Sequence, residues 1–494
     1  MNKKHLENAF DQLSDKHIRE AAGYKRPRLL PYMGAIAACL VCAILLSTFA
    51  PKGSNVAIPT DPILSTQAPD NYTPPKNFEG TLTPVTIHQS TSSALLSAPV
   101  YPLMAPYATG TGYSAWWESL RQIHYTDLNY ASNLDDYFKK ICPAVLNDQE
   151  GNSVFSPLNI YMALSMLAET TEGTSRQQIL NLLNAEDVDA LRHQAEQLWR
   201  AHYYNDGLAT SILGSSLWLD NSYAYNEETV QTLAKYYYAS VFRGKMGSAE
   251  LNSALQQWLN DNTGSLLKDQ VADVRLQEEM ALALATTIYY QVQWQDALTG
   301  GNTGIFHGPS ADQKIEFLYD YDLYGQYYWG EDFGAACLQL RDGSTMWLIL
   351  PDEGKTPHDL LASGKALDMV LSDNYSQSKR MQVSITVPKF DVTSDLSVKN
   401  ALQELGITSV FNKNADFSPI LPEEKGAYVD NVKHATRLIM NEDGISAAAY
   451  TVIMLAGAAE PPTDRIDLVF DRPFLFVVES KDGLPLFVGT VYEP

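Results

Sequence analysis

Cysteine is scarce in this chain. Its 494 residues hold four, Cys39, Cys42, Cys142 and Cys337, too few for a disulfide scaffold. Cys39 and Cys42 sit inside an apolar run, so their C-x-x-C spacing reads as coincidental rather than metal-binding or redox. Cys142 and Cys337 are far apart in sequence and leave two readings open, one bridge or two lone buried thiols. Positive charge is also short: 35 Lys and Arg stand against 58 Asp and Glu, a net of −23. The first 50 residues carry a net of +3, so the remainder carries −26. A chain of that sign offers no basic face to a phosphate backbone, which excludes nucleic acid as a partner class. It favours encounter with basic proteins. Catalytic signatures are missing as well. There is no G-x-S-x-G, no H-E-x-x-H and no phosphate-cradling glycine-rich loop, and the nine His form no pair at metal-ligand spacing. No enzyme activity, metal or cofactor is expected.

What is present begins with a membrane-like amino terminus. Residues 1–28 are polar and end in Lys25, Arg26 and Arg28. Leu29 to Ala50 carries no charge and matches the ~20 residues of a spanning helix. Basic residues before the span keep the amino end in the cytoplasm, so 1–28 reads as a cytoplasmic tail and 29–50 as a retained single-pass anchor in the cell membrane. A cleaved signal ending at Thr48-Phe49-Ala50, which would leave a secreted protein, is the alternative. Ile36-Ala37-Ala38-Cys39 is similar to a lipoprotein box, but the apolar run continues past it. Residues 51–111 are rich in Pro, Ser, Thr and Ala and read as an extended tether.

From 112 to 494 the texture is globular, with 45% hydrophobic residues in the whole chain. Leu134, Phe138, Ile141 and Val145 recur at helical spacing, with Pro143 predicting an end or kink. Ser156 and Pro157 are set to open a helix as N-cap and first helical residue, and Thr174 with Gln177 reads as a capping box. Leu251 to Asp269 is helical and breaks at Thr263-Gly264. Residues 281–295 read as a buried strand, 381–392 as an alternating one, and Ile466 to Val491 as three short β runs. Strands and helices do not alternate regularly, so the class is α+β. The aromatic cluster Tyr319, Tyr321, Tyr324, Tyr327, Tyr328 and Trp329 reads either as half-buried strands and a loop or as a sugar-binding surface, the former favoured.

One stretch resists this reading. Gly444 to Ala459, GISAAAYTVIMLAGAA, has no charge, follows Glu442-Asp443 and is closed by Glu460-Pro461-Pro462. It is too short to span a membrane, and on composition alone it is a buried helix or strand.

In chain order, residues 112–494 resemble the serpin family. Asn152 to Ile160 is similar to N-x-F-x-S-P-x-S-I, with Asn159 where Ser is usual. Leu251 to Trp258 through Thr263-Gly264 resembles I-N-x-W-V…T-x-G, and Thr286 to Trp294 resembles N-A-I-Y-F-K-G-x-W. Pro388-Lys389-Phe390, Leu405-Gly406-Ile407 to Phe411, Arg472 to Phe476 and Phe487 to Pro494 follow in order. Glu442-Asp443-Gly444 with Ser446-Ala447-Ala448-Ala449 resembles the hinge E-x-G-T-x-A-A-A, and His434 precedes Glu442 by eight residues as in the family.

The resemblance, to serpins of the bacterial membrane-anchored type, implies a fold with a large mixed central sheet, two smaller sheets and about nine helices. It implies an exposed reactive loop at about 442–462. A serine protease cleaves the loop near Ala458-Ala459, the loop's first half inserts into the large sheet, and the acyl-enzyme is trapped. Small residues at that bond point to elastase-like or subtilisin-like proteases, and the inhibitor is expected to be a monomer. The alternative is a serpin-fold binding protein without inhibitory action. The resemblance also implies roles for Glu442, Gly444 and Ile445 in the hinge, and for Ser156, Asn159, Thr286, Trp294, Lys389 and His434 beneath and above the opening strands. Besides Asn159, three departures from the pattern stand out. Ile445 stands for Thr or Ser, Thr286 for Asn, and Gln291-Val292 for Lys-Gly. Glu442 is expected to pair with Lys389.

The loop residues suit insertion on physical grounds. Ala447, Ala449 and Thr451 share one strand face, while Val452 and Met454 take the other. An inserted unpaired charge would cost several kcal/mol. A new strand forms on the order of ten backbone hydrogen bonds, each ~0.5–1.5 kcal/mol net.

Overall fold

The computed structural model describes residues 94–494 apart from 109, 128, 148, 150, 269–271, 273, 372–374, 376, 424–425, 430–431 and 446–461. All of these belong to the second of two units of the chain, Thr66–Pro494. The span expected at 29–50 lies outside the described residues. Among those described, no helix is long and apolar enough to cross a membrane.

Among the described residues, apolar runs of β-branched and aromatic residues build three sheets. The largest has eight strands in the order β1 (Leu95–Ser97), β5 (Ala239–Gly244), β4 (Ala209–Asp220), β6 (Leu282–Gln293), β16 (Gly444–Ile445), β15 (Lys433–Met440) and β14 (Phe390–Ser397), with β3 (Tyr204–Asn205) paired to β4. Only β4 and β5 run parallel, so this sheet is mixed. The second sheet orders β12 (Ser378–Arg380), β9 (Gln326–Trp329), β10 (Phe333–Gln339), β11 (Thr345–Pro351), β18 (Phe474–Glu479), β19 (Pro485–Val491) and β2 (Ser153–Phe155). Its β18 and β19 are buried along their whole length, as near-continuous apolar runs require. The third joins β17 (Arg465–Val469), β13 (Gln382–Pro388), β8 (Asp312–Asp322) and β7 (Thr299–His307).

Among the described residues ten α-helices surround them: α1 (Tyr113–Ile123), α2 (Asp135–Leu146), α3 (Pro157–Thr170), α4 (Gly173–Leu182), α5 (Val188–His202), α6 (Glu227–Tyr236), α7 (Ala249–Asp261), α8 (Pro357–Ser363), α9 (Lys365–Leu371) and α10 (Lys399–Glu404). Helix α3 starts as its sequence dictates. The Ser156 hydroxyl accepts from the Asn159 N–H at 3.2 Å, and Pro157 fills the first helical position. It is buried almost all round and lies beneath β6 and β19. Helix α7 covers the other face of the large sheet, where Trp218 stacks on Phe242 at 4.0 Å above Leu251, Leu255 and Trp258.

The α+β class stands, with several local corrections. Thr174 and Gln177 form no capping box. Helix α4 begins at Gly173, and its N-cap Glu172 makes no side-chain cap bond. Pro143 does not end α2, which continues to Leu146. The alternating run at 381–392 is two strands in different sheets, β13 and β14, parted at Lys389. Residues 281–295 are a strand, but most of it is only half-buried. Residues 94–108, placed in the tether by composition, are partly folded against the body. Leu95 and Ser97 pair with β5, and Tyr101 stacks on Trp199 at 5.3 Å. Cys142 and Cys337 are both free thiols. The tyrosine cluster lies along β8 and β9, and Tyr327 stacks on Trp329 at 5.4 Å.

Candidate functional site at the opening of the large sheet

Among the described residues, backbone pairing links strands β6 and β15 through β16. Its two residues pair antiparallel with both, Gly444 opposite Gln293, and Ile445 opposite Val292 and Met440. Beyond Ile445, no backbone pairing joins the facing edges of β6 and β15 among the described residues. Unpaired strand edges invite another strand. Ser446, Ala447, Ala448, Ala449, Ala458 and Ala459, expected in the hinge and at the reactive bond, lie outside the described residues.

The turn feeding β16 is held from above. The Trp294 indole N–H donates to the Asn441 carbonyl at 2.9 Å, and its backbone N–H to that of Asp443 at 2.9 Å. The Leu298 N–H donates to the Glu442 carbonyl at 3.0 Å. Asn441 Oδ1 accepts from the backbone N–H groups of Asp443 at 3.0 Å and Gly444 at 3.1 Å, closing an Asx turn. Asn441 was not singled out from the sequence, although an Asn three residues before a Gly was a readable turn signal.

The anticipated ion pair is present. Lys389 Nζ lies 2.9 Å from Glu442 Oε2 and 3.2 Å from Glu316 Oε1. The hydrogen bond from Lys389 holds the Glu442 carboxyl below its usual range, and the same bond raises the Lys389 ammonium. Both side chains are partly exposed, so the pair contributes about 0–1 kcal/mol. It locates the turn more than it stabilises it.

Beneath the slot lies a polar cluster. His434 is buried, its Nε2 accepting from the Ser156 N–H at 3.0 Å with the Thr436 hydroxyl at 2.7 Å. That acceptor role keeps Nε2 unprotonated, and burial pushes the imidazole down to about 4. Thr286 stands on β6 opposite Ser215, whose buried hydroxyl has no partner. Asn159 is 1% exposed, and neither Oδ1 nor Nδ2 has a partner. Ser156 thus links His434 and Asn159 at the start of α3, and Trp294, Lys389 and Glu442 surround the turn before β16. Ile445 is 1% exposed between Val292 and Met440, so the slot accommodates its bulk. No cluster of metal-ligating residues occurs among those described.

Comparison with known proteins agrees with this architecture. The family model described as "Serpin (serine protease inhibitor)" matches residues 136–494. Neuroserpin of Mus musculus is 26% identical over 367 residues, 70% of this chain and 87% of its own. Alpha-1-antitrypsin 1-4 of Mus musculus is 26% identical over 376 residues, covering 74% and 89%. Among solved structures, the thermophilic serpin tengpin in its native state superposes with a TM-score of 0.67 at 22% identity, covering 75% of this chain and 95% of that one.

Proposed function

The chain belongs to the serpin family, and from that premise we propose that it is an extracytoplasmic suicide-substrate inhibitor of serine-type endopeptidases. The observation that carries the reading is β16: the hinge residues Gly444 and Ile445 already form a strand between β6 and β15, whose facing edges share no further backbone pairing among the described residues. Cleavage frees the rest of the loop to continue that strand, and burial of its uncharged residues drives the motion. The covalently attached protease is carried with it.

The scissile bond in this reading is Ala458–Ala459. Its small residues fit the shallow pocket of an elastase-like or subtilisin-like protease. Residues 29–50 anchor the chain in the cell membrane as a single pass, and the tether holds the loop away from the bilayer. The second reading is a serpin-fold binding protein without inhibitory action, favoured by Thr286 and the unpartnered Asn159 amide beneath the slot.

Full-length chain in detergent micelles, incubated with pancreatic elastase, separates the two. An inhibitor yields a complex resistant to denaturing electrophoresis and releases a carboxyl-terminal fragment whose mass begins at Ala459. Stoichiometric cleavage with no complex, against elastase and subtilisin alike, defeats the inhibitory reading.

A further inference from the structure

We infer that His124 is an acid-operated clasp on α1. A proton at its Nδ1 breaks the contact that fastens the helix's carboxyl end to the body, and α1 comes away. The inference stands apart from the inhibitory reading above.

Helix α1 has few apolar anchors. Among its eleven residues only Trp116 and Ile123 are buried, and so short a helix with so little burial opens locally at low cost. Polar contacts hold the rest. The Trp116 indole N–H donates to Asp206 Oδ2 at 2.8 Å. The Arg200 guanidinium donates to the carbonyls of Ile123 at 3.0 Å and Gln122 at 2.8 Å, capping the helix's carboxyl end. His124, the C-cap residue, follows directly.

The two nitrogens of its half-buried ring have roles fixed by their partners. Nε2 lies 2.7 Å from the Tyr203 carbonyl oxygen, which only accepts, so Nε2 carries the hydrogen. Nδ1 lies 3.2 Å from Lys481 Nζ, which only donates, so Nδ1 is the acceptor. Lys481 also donates to the Tyr204 hydroxyl at 2.7 Å, and the His124 ring meets the Tyr204 ring edge-on at 4.5 Å. A second proton can therefore enter only at Nδ1. It displaces the Lys481 bond and sets two cations 3.2 Å apart. Burial, and then that ammonium, push the docked imidazole down to about 3 from an ordinary 6.5. Undocked α1 binds the proton that docked α1 refuses, so acid favours undocking.

The other charged groups near the ring do not reverse this. Asp482, beside Lys481, accepts from the Tyr130 hydroxyl at 2.7 Å and attracts the incoming proton, but more weakly than burial and Lys481 oppose it. His202 on α5 also opposes the proton, and its own Nδ1 bonds within α5 to the Leu198 carbonyl at 2.7 Å. The Arg200 guanidinium adds positive charge. On α1 itself, Glu118 and Arg121 pair with each other in solvent at 2.9 Å. His193 of α5 pairs with Asp127 at 2.9 Å, again in solvent, where the pair counts for little.

The test is hydrogen exchange of the full-length chain in detergent micelles, read by mass on peptides covering 113–123 and corrected for the intrinsic effect of pH. The opening constant of α1 should rise about tenfold per pH unit below about 6.5, hence about thirtyfold between about pH 8 and pH 5. His124→Gln, which keeps one acceptor and one donor, should flatten that rise, and His193→Gln should match wild type. Arg200→Gln removes the cap without touching the titration, so it should increase opening at every pH and keep the slope. A wild-type constant that changes less than about threefold over that range overturns the inference, whatever the variants do. So does a wild-type rise that His124→Gln retains.

Discussion

A Cβ on Gly444 would lie 2.2 Å from the Val292 carbonyl oxygen and 2.7 Å from the Gln293 Cα. Glycine is required there by close approach of a neighbouring backbone as well as by hinge freedom. Gly444→Ala should expel β16, costing roughly 1–3 kcal/mol of stability. Urea denaturation of the uncut chain checks this, and an unchanged midpoint would show that β16 carries no strain-sensitive contact. His434 gives a second residue-scale prediction. Its imidazole sits at about 4 in the folded protein against an unfolded value of 6.5. The unfolded chain therefore binds its proton first. The contribution is complete above pH 6.5, is lost as pH falls from 6.5 to about 4, and amounts to about 3 kcal/mol. His434→Gln should flatten that part of the stability–pH curve. His124, pushed down to about 3 by burial, and the buried His202 keep a remainder of the slope in both proteins.

At the scale of elements, the segment before α1 decides more than its composition implies. The Tyr101 ring packs against Trp199 at 5.3 Å, Tyr203 at 6.0 Å and Tyr238 at 6.2 Å. The Arg243 N–H donates to the Ala94 carbonyl at 2.7 Å, and the Tyr107 N–H to that of Asp206 at 2.6 Å. Deleting residues 1–108 should cost roughly 2–4 kcal/mol relative to deleting 1–93, because it uncovers Trp199 and the edge of β5. Equal melting temperatures for the two truncations would contradict this. The Ser, Pro and Ala around Leu95 and Tyr101 hide the segment from periodicity, since a three-residue edge strand shows no repeat. Helix α3 was legible because Ser156 and Pro157 act locally. Helix α4's start was misread because Thr174 competes with a turn at Gly173 that only packing decides.

For the molecule as a whole, a net charge of −23 sets how it meets a protease. Complex formation with a basic elastase should slow about tenfold as ionic strength rises from about 0.05 to 0.5 M, with the product unchanged. A salt-independent rate would assign the encounter to local contacts instead.

What the sequence determined by itself was the set of short-range commitments. These are the caps, the apolar strands, the uncharged loop flanked by Glu442 and Pro461, and the chain-order resemblance that places Lys389, His434 and Trp294. Each depends on neighbours in sequence or on motifs readable in one dimension. Only the tertiary structure decided that Gly444 and Ile445 already form a strand. It also decided that the Trp294 indole holds their turn through the Asn441 carbonyl and that the Asn159 amide lies buried without a partner. Those facts depend on which backbone edges and side chains meet across more than a hundred residues. No local pattern encodes such a meeting, because its energy resides in the contact and not in either partner alone.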